Sequence, residues 1–301
     1  MNYPLLYLAP PRPQLSSSDY GYALAHECVD RKTITEYRHK HRVILDNGAN
    51  ELKEGLGGEF LAWLTGMIEP EFVILPDTLH NAPKTLEDGF RFLESMEKAP
   101  EGPKWIGVAQ GKDIDDFLLS FETWLNDDRI TRIGIPYDVQ FAGTTELVYD
   151  ENWSNRVNLV NFLTRVYNIP ERKFHFLGSW EILELFRIMR EPSLLNVRET
   201  IASYDTTAPY SGSAVGRSFH AGEEINFNGP KDWPGMDFNK YIDFEYLDWN
   251  IACCLASAKV SLSNWERYMK PREVEKLWPH FSHYYDEEDR SAGKTWYPTT
   301  I

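Results

Sequence analysis

The chain has 301 residues, of which 42% are hydrophobic and 26% are charged, and its formal net charge is −15. This composition is that of a folded globular protein, and a chain of this length can form a barrel as one domain. Nucleic-acid binders gain most of their affinity from Lys and Arg, so a surface this acidic excludes broad, unspecific coating of nucleic acid. Any such binding needs a local patch. The best candidate is the segment 31–42, RKTITEYRHKHR, although a solvated charged surface is the simpler interpretation of that segment taken alone.

The sequence also bears on the cellular compartment. No run approaches the roughly 18 apolar residues of a membrane span, and the segment MNYPLLYLAPPRP lacks the basic start and cleavage site of a signal peptide. The three cysteines, Cys28, Cys253 and Cys254, cannot build a disulfide framework, because their number is odd and two are adjacent. We therefore expect a cytoplasmic protein in a reducing compartment, with no membrane partner.

Short apolar runs typical of buried strands recur about every 30 residues, the length of one strand-helix unit. Helical patterns lie between them, most clearly over 112–127 and 154–168. This alternation predicts an α/β fold, specifically a (β/α)8 TIM-type barrel. An open doubly wound sheet is less favoured because no Gly-x-Gly-x-x-Gly follows a strand. The predicted strands are 42–46, 71–77, 104–111, 132–138, 173–178 and 201–205, with 4–10 as a further candidate.

The alternation stops after about residue 214. The Gly- and Asn-rich stretch 220–239 predicts a long loop, and the pattern over 241–269 predicts one long helix that carries Cys253 and Cys254 on its apolar part. We expect a single domain over 1–301, with the barrel core over about 1–225 and a C-terminal helical extension over about 240–301.

Polar residues stand at the C-terminal ends of four predicted strands, namely Asp46, Asp77, Gln110 and Asp205. In a (β/α)8 barrel, catalytic groups collect at that end of the strands. A single aspartate there could equally be the N-cap of the next helix. Four such residues in register predict a convergent polar site.

Taken in chain order, these segments resemble the queuine/archaeosine tRNA-guanine transglycosylase superfamily. VILDNGANE is similar to its strand-end Asp-Ser-Gly-Gly motif, GVAQGK to its Gln-Gly motif and SYDTTAPY to its nucleophile strand. VILPDTLHNAPKTLEDG, RIGIPYD and KFHFLGSWEILELF are similar to its second Asp strand, its Gly-rich strand and its His-x-Leu-Gly segment. The similarity covers residues 42 to about 215.

The resemblance implies the exchange of a nucleobase on a pentose through an oxocarbenium-like transition state. Asp205 would be the nucleophile that forms a covalent sugar ester. Thr206 and Thr207 would hydrogen-bond around it or around a phosphate. Asp46 would act as general acid and then as general base, and the two displacements would retain the configuration at the sugar.

The resemblance also assigns the base pocket. Guanine presents N–H donors on one edge and acceptors at O6 and N7. Asp77 would accept from the donor edge, and Gln110 with the backbone of Gly111 and Gly134 would bind O6. Stacking on the base would fall to Tyr137, Tyr204 or Tyr210, for each of which ordinary packing is the simpler interpretation.

Three departures qualify the resemblance. Tyr210 and its neighbours replace a basic continuation, and Leu79 replaces the Cys of bacterial queuosine enzymes, which leaves the incoming base open. The tRNA enzymes bind zinc through Cys-x-Cys-x-x-Cys and a distant His, whereas this chain has only the adjacent Cys253 and Cys254 there. We therefore predict no structural zinc and no cofactor.

A zinc-free enzyme with the DTTAPY strand looks more like the phage-encoded DNA-guanine transglycosylases, which insert 7-deazaguanines such as preQ0 into DNA. Guanine in DNA and a free 7-deazaguanine base are thus the expected partners, in the host cytoplasm. In duplex DNA the target guanine would have to be flipped out of the helix. Otherwise the enzyme would have to act on single-stranded DNA.

Three alternatives remain open. A tRNA-guanine transglycosylase would use the same residues but is disfavoured by the missing zinc motif and the acidic surface. A non-catalytic partner subunit is disfavoured because Asp46, Asp77, Gln110 and Asp205 are all present. A glycoside hydrolase would also use two carboxylates, and the Gln-Gly and His-x-Leu-Gly segments weigh against it.

Overall fold

Eight parallel strands close into a barrel in chain order, with β8 pairing back onto β1. The computed structural model describes residues 4–10, 17–52, 56–97, 102–139, 154–178, 182–206, 208–214, 244–260 and 262–285. The strands are β1 Leu5–Leu8, β2 Tyr20–Leu24, β3 Arg42–Asp46, β4 Phe72–Ile74, β5 Lys104–Val108, β6 Ile130–Ile135, β7 Phe174–Phe176 and β8 Ile201–Thr206. The predicted (β/α)8 fold class is confirmed, including the candidate first strand.

Helices surround the barrel and begin at side-chain caps. Asp30, Asp113 and Ser154 each accept a backbone N–H bond from the first turn of the helix that follows, which satisfies amide groups that have no partner inside the helix. The predicted helices over 112–127 and 154–168 are confirmed as α5 and α6. The helices are α1 Arg31–Arg38, α2 Ala49–Leu52, α3 Gly58–Ile68, α4 Ala82–Met96, α5 Ile114–Leu125, α6 Asn155–Val166, α7 Ile182–Arg190, α8 Leu195–Thr200 and α9 Ala208–Ala214.

Strand β2 is the one that the sequence pattern does not predict. Its sequence, YGYAL, lacks the Val and Ile run of the other strands. Tyr20 and Tyr22 are buried, and the Tyr20 ring lies 6.0 Å from that of Tyr7 on β1. Aromatic filling of the barrel interior therefore stabilises this strand in place of β-branched side chains.

The C-terminal region is helical, but the prediction of one long helix over 241–269 is wrong. Helix α10 spans Phe244–Ser257, and a short α11 at Leu262–Trp265 and α12 at Pro271–Phe281 follow. The chain leaves α10 with Lys259 in the left-handed region (φ 51°), a conformation that ends a helix. The predicted loop over 220–239 lies outside the described residues, as does the chain after residue 285.

Backbone hydrogen bonds attach the described part of this extension to the barrel. The N–H of Leu6 on β1 donates to the hydroxyl of Tyr268 (3.2 Å), and the N–H of Asp19 donates to the carbonyl of Arg267 (2.6 Å). The extension and the barrel share one hydrophobic core. Within the described ranges, no helix has the length and apolar character that crossing a membrane requires.

Candidate active site

A cavity of about 180 Å³ opens at the C-terminal ends of the barrel strands. It is smaller than the roughly 300–1,000 Å³ of sites for drug-sized ligands, so it suits a single flat ring system. Four of the predicted site residues line it together, namely Asp46, Asp77, Gln110 and Asp205. The rest of its wall is formed by Ala9, Tyr22, Leu24, Ala49, Ile74, Leu79, His80, Val108, Pro136, Tyr137, Asp138, Leu177 and Gly178.

Within the described part of the chain, two donors contact Asp46 at the mouth. The hydroxyl of Tyr22 donates to Oδ2 (2.6 Å), and the backbone N–H of Gly48 donates to Oδ1 (3.1 Å). Strand β2 supplies the first contact because its Leu24 pairs in register with Asp46 and places Tyr22 on the same interior face. The half-buried carboxylate is thus fixed in direction while one side of it faces the cavity.

Asp77 lies at the centre of an amide network. Asn47 donates from Nδ2 to Oδ1 (2.7 Å) and Gln110 donates from Nε2 to Oδ2 (2.7 Å). The backbone N–H of His80, which has a left-handed φ of 56°, donates to Oε1 of Gln110 (3.1 Å) and so sets the orientation of that amide. Asp77 and Gln110 are therefore hydrogen-bonded to each other, and side by side they offer an acceptor and a donor, the groups that the two edges of guanine need.

Asn47 is a site residue that the sequence reasoning missed. It is fully buried, and its Nδ2 donates to the carbonyl of Leu75 (2.8 Å) as well as to Asp77. Its Oδ1 accepts from the N–H of Ala49 at the start of α2 (2.8 Å). The available signal was its place directly after Asp46, at the end of a parallel strand.

Asp205 is almost completely buried at the end of β8, with 5% of its surface exposed. The backbone N–H of Gly178, at the end of β7, lies 3.0 Å from each of its carboxylate oxygens. Gly178 has a φ of 60°, a conformation that a side chain would make costly. This turn presents its N–H to the carboxylate while Asp205 lines the cavity.

His175 lies directly below Asp205 and is the His of the segment that resembles the His-x-Leu-Gly motif, for which the sequence predicts no role. Its Nε2 lies 3.3 Å from Oδ1 of Asp205, too poorly aligned for a regular hydrogen bond, and its Nδ1 lies 2.8 Å from Oγ of Ser203. Burial lowers the pKa of His175, although the neighbouring carboxylate acts in the opposite direction. A neutral imidazole therefore contacts the predicted nucleophile.

Gly111 and Gly134 do not line the cavity, so the structure does not bring them together with the other predicted residues. A Cβ on Gly111 would meet the backbone nitrogen of Phe117 at 2.2 Å, so the close approach of the loop to α5 requires glycine. Gly134 lies within β6, and its carbonyl accepts from the N–H of Ala109 (3.0 Å). Their contribution to base binding stays a prediction.

The three tyrosines predicted as candidates for stacking on the base differ in their position relative to the cavity. Tyr137 lines the cavity, and the Arg156 guanidinium lies 5.3 Å from its ring centroid. Tyr204 and Tyr210 are fully buried and do not line the cavity. Among these tyrosines, only Tyr137 is placed to contact a bound base.

Thr206 has a capping role at the end of β8. Its Oγ1 accepts from the N–H of Ala208 (3.0 Å) at the start of α9. Thr207 lies outside the described residues.

Among the described residues, acidic side chains outnumber basic ones at the mouth of the cavity. In the described parts of the loops that follow the strands (9–10, 25–30, 47–52, 75–81, 109–113, 136–139 and 177–178), Lys112 is the only Lys or Arg. The basic segment 31–42 lies mostly elsewhere, because α1 runs from the mouth towards the opposite end of the barrel. Arg38 forms an ion pair with Glu69, and Lys40 donates to the carbonyl of Ser18 (2.7 Å).

The structure therefore does not bring the predicted patch to the cavity as a unit. Arg31 and Lys32, in the first turn of α1, are exposed at the mouth end of the segment. With Lys112 they form the set of cations that we call the mouth cations.

The described residues contain no group of three His, Cys, Asp or Glu side chains placed to hold a metal ion. Cys253 and Cys254 are fully buried on α10. Burial raises the pKa of the Cys254 thiol, so this side chain behaves as a small apolar group.

No protein-family model matches the chain, and the search of curated proteins finds no match.

Proposed function

We propose that the protein is a guanine transglycosylase that replaces guanine in DNA with a 7-deazaguanine. The observation that supports this most is the convergence of Asp205, Asp46 and the bonded pair Asp77–Gln110 on one small cavity. The chemistry needs a nucleophile, an acid-base group and a pocket for the two edges of guanine, and these residue types can supply all three.

In the first displacement, an oxygen of Asp205 forms a bond to C1′ of the sugar as the bond from C1′ to the guanine nitrogen breaks. Asp46 donates a proton to the departing base, whose leaving would otherwise place a negative charge on it. The nucleic acid is then held as a sugar ester on Asp205, and free guanine leaves.

In the second displacement, Asp46 accepts the proton from the ring nitrogen of the incoming base. That nitrogen attacks C1′ and releases the Asp205 carboxylate. Two inversions give net retention. Asp46 returns to its protonated form, so the cycle closes without an external acid or base.

The base would lie between the Asp77–Gln110 pair and Tyr137. Asp77, which accepts from amides through both oxygens, provides the negative charge that guanine N1–H and N2–H require. Gln110 Nε2 keeps a second N–H for O6. The cavity volume of about 180 Å³ suits the base alone, which leaves the sugar and the phosphates at the mouth.

The experiment is base exchange. Purified protein is incubated with labelled guanine or preQ0 and one nucleic acid, in parallel reactions that contain double-stranded DNA, single-stranded DNA or tRNA. The variant Asp205→Ala is the control. We expect label in DNA with the wild type and none with the variant. Label in tRNA alone would establish the tRNA alternative, and no label in any nucleic acid would support a non-catalytic subunit.

A further inference from the structure

A line of buried polar side chains runs through the barrel interior beneath Asp205. Strand register places His175 beside Ser203. Arg132 donates from Nη1 to Oγ of Ser203 (2.8 Å), that Oγ lies 2.8 Å from Nδ1 of His175, and Nε2 of His175 lies 3.3 Å from Oδ1 of Asp205. His175 and Ser203 are fully buried, and Arg132 is 9% exposed. We call Arg132, Ser203 and His175 the relay.

The proton positions along the relay follow from the chemistry of its members. A guanidinium can only donate, so the Ser203 oxygen accepts from Arg132. A neutral imidazole has one donor and one acceptor nitrogen, and the nitrogen that faces a carboxylate must carry the hydrogen. Nε2 of His175 is therefore protonated, and Nδ1 accepts the hydroxyl hydrogen of Ser203.

The surroundings keep the imidazole neutral. Burial is the largest effect on the pKa of His175 and lowers it, and the positive charges of Arg132 and Arg156 lower it further. Asp205 opposes this without reversing it. The other faces of the ring meet tyrosines, with Tyr22 stacked at 6.2 Å and Tyr7 edge-on at 6.5 Å between centroids.

Burial raises the pKa of the Tyr7 phenol to about 12, so Tyr7 carries no charge near neutral pH. The hydroxyl of Tyr22 is bonded to Asp46.

Among the contacts that the described residues make with Asp205, the one from His175 distinguishes its two oxygens. The N–H of Gly178 lies 3.0 Å from both oxygens and cannot distinguish them. Nε2 of the neutral His175 ring contacts Oδ1, at 3.3 Å. A nucleophilic carboxylate attacks through one oxygen. Because Oδ1 is in contact with His175, Oδ2 is the oxygen available to the sugar.

We propose that His175 is a positioning residue for the Asp205 nucleophile, with Ser203 and Arg132 fixing its tautomer, and that Oδ2 of Asp205 is the atom that forms the sugar ester. The inference rests on the proposed function, since it takes Asp205 to be the nucleophile.

The first arm of the test reads the tautomer without any activity. Spectra of ¹⁵N-histidine-labelled protein are compared for the wild type, His175→Gln, Ser203→Ala and Ser257→Ala. The variant H175Q assigns one signal among the eight histidines. Ser257 is also fully buried, and its hydroxyl is outside the relay, so S257A controls for the loss of a buried hydroxyl.

We expect the His175 signal to be that of the neutral Nε2–H form and to stay neutral below the ordinary histidine pKa of about 6.5. In S203A the Nδ1 shift should change, whereas in S257A it should not. A His175 signal in the Nδ1–H form, or one that titrates near pH 6.5, would overturn the proposed tautomer of His175 and its hydrogen bond with Ser203.

The second arm measures ester formation on guanine-containing DNA. His175→Phe keeps a ring but removes the donor, whereas His175→Gln keeps an N–H near the position of Nε2. We expect H175F to lower kcat by about 100-fold, the effect of a small misplacement of a reacting group, with little change in the KM for DNA. H175Q should recover most of that loss.

The outcomes separate the two claims. If folded H175F forms the ester at the wild-type rate, the positioning role is overturned while the proposed function stands. If the wild type forms no ester on any nucleic acid, the proposed function fails, and this inference fails with it whatever the tautomer. If H175F and H175Q lose activity to the same extent, His175 acts only through the packing of its ring, and the positioning role is also overturned.

Discussion

The Arg156 guanidinium and the Glu184 carboxylate form an ion pair that is almost completely buried, with side-chain exposures of 0% and 1%. The pair joins α6 to α7 directly behind the cavity wall. Arg156 also donates from Nη1 to the carbonyl of Leu177 (2.5 Å) and lies over the ring of Tyr137. It therefore connects the end of β7 to the tyrosine that lines the cavity.

Removing one member of this pair should be costly. We expect Arg156→Met to lower the free energy of unfolding by about 3–5 kcal/mol, because it leaves the Glu184 charge buried without its partner. The double variant R156M/E184L should recover most of this loss, measured by urea denaturation. Arg38→Met is the matched control, since the Arg38–Glu69 pair is 50% and 62% exposed and should contribute at most about 1 kcal/mol. An equal effect of R156M and R38M would show that breaking the buried pair costs no more stability than breaking the exposed one, and would contradict this prediction.

Asn47 should matter for base binding although it does not line the cavity. Asn47→Leu removes the Nδ2 donor from Oδ1 of Asp77, which should cost about 1–3 kcal/mol of stability. Asp77 should then be poorly oriented, and the KM for the free base should rise about tenfold, equivalent to roughly 1.4 kcal/mol. Asn126→Leu removes an exposed hydrogen bond to the carbonyl of Glu122 at the C-terminal end of α5, so it should leave the KM unchanged and cost less stability than N47L. A normal KM in N47L would show that the network does not position Asp77.

Nucleic-acid affinity should depend on the mouth cations. Charge reversal in Arg31→Glu/Lys32→Glu should weaken binding and reduce the slope of log K against log salt by about one for each phosphate that these side chains no longer neutralise. Arg38→Glu should leave the slope unchanged, because Arg38 lies at the opposite end of α1 and pairs with Glu69. If R38E reduced the slope and R31E/K32E did not, the nucleic acid would lie at the other end of the barrel.

The free energy of unfolding should decrease as the pH is lowered, because of His175. Its pKa is lowered in the folded state, so below about pH 6.5 the unfolded chain takes up a proton that the folded protein does not. The stabilisation is therefore present above about pH 6.5 and is lost as the pH falls through the window below it. Urea denaturation at several values between about pH 7 and pH 5 should show a smaller loss for H175Q than for the wild type. Parallel curves for the two proteins would contradict this.

The sequence predicts those parts of the site that stand at strand ends. Asp46, Asp77, Gln110 and Asp205 each follow an apolar run, and the rule that parallel strands share one catalytic end is enough to bring them together. It does not predict β2, because two tyrosines replace the usual β-branched residues there.

The contacts beneath the cavity depend on strand register, which the sequence does not reveal. Ser203 and His175 are separated by 28 positions and Arg132 and Ser203 by 71. Their meeting follows from which residues of β6, β7 and β8 face inwards at the same level. A polar residue inside an apolar strand, such as Ser203 in IASYD, was the available signal, because a buried hydroxyl needs a partner.

The break after α10 was also not predictable from periodicity. The apolar pattern continues through the segment, whereas the chain turns at Lys259 in a left-handed conformation. Three-dimensional packing against the barrel decides where this helix ends.

The most direct measurement is covalent trapping of Asp205. The protein is incubated with a guanine-containing single-stranded oligodeoxynucleotide in the absence of an incoming base, quenched in acid and analysed by intact and peptide mass spectrometry, with tRNA in parallel. We expect an adduct with the mass of the oligonucleotide less guanine, located on the peptide that contains Asp205, absent in Asp205→Asn and discharged by added guanine. An adduct that persists in D205N, or base exchange that proceeds without any adduct on Asp205, would contradict the assignment of this residue as the nucleophile.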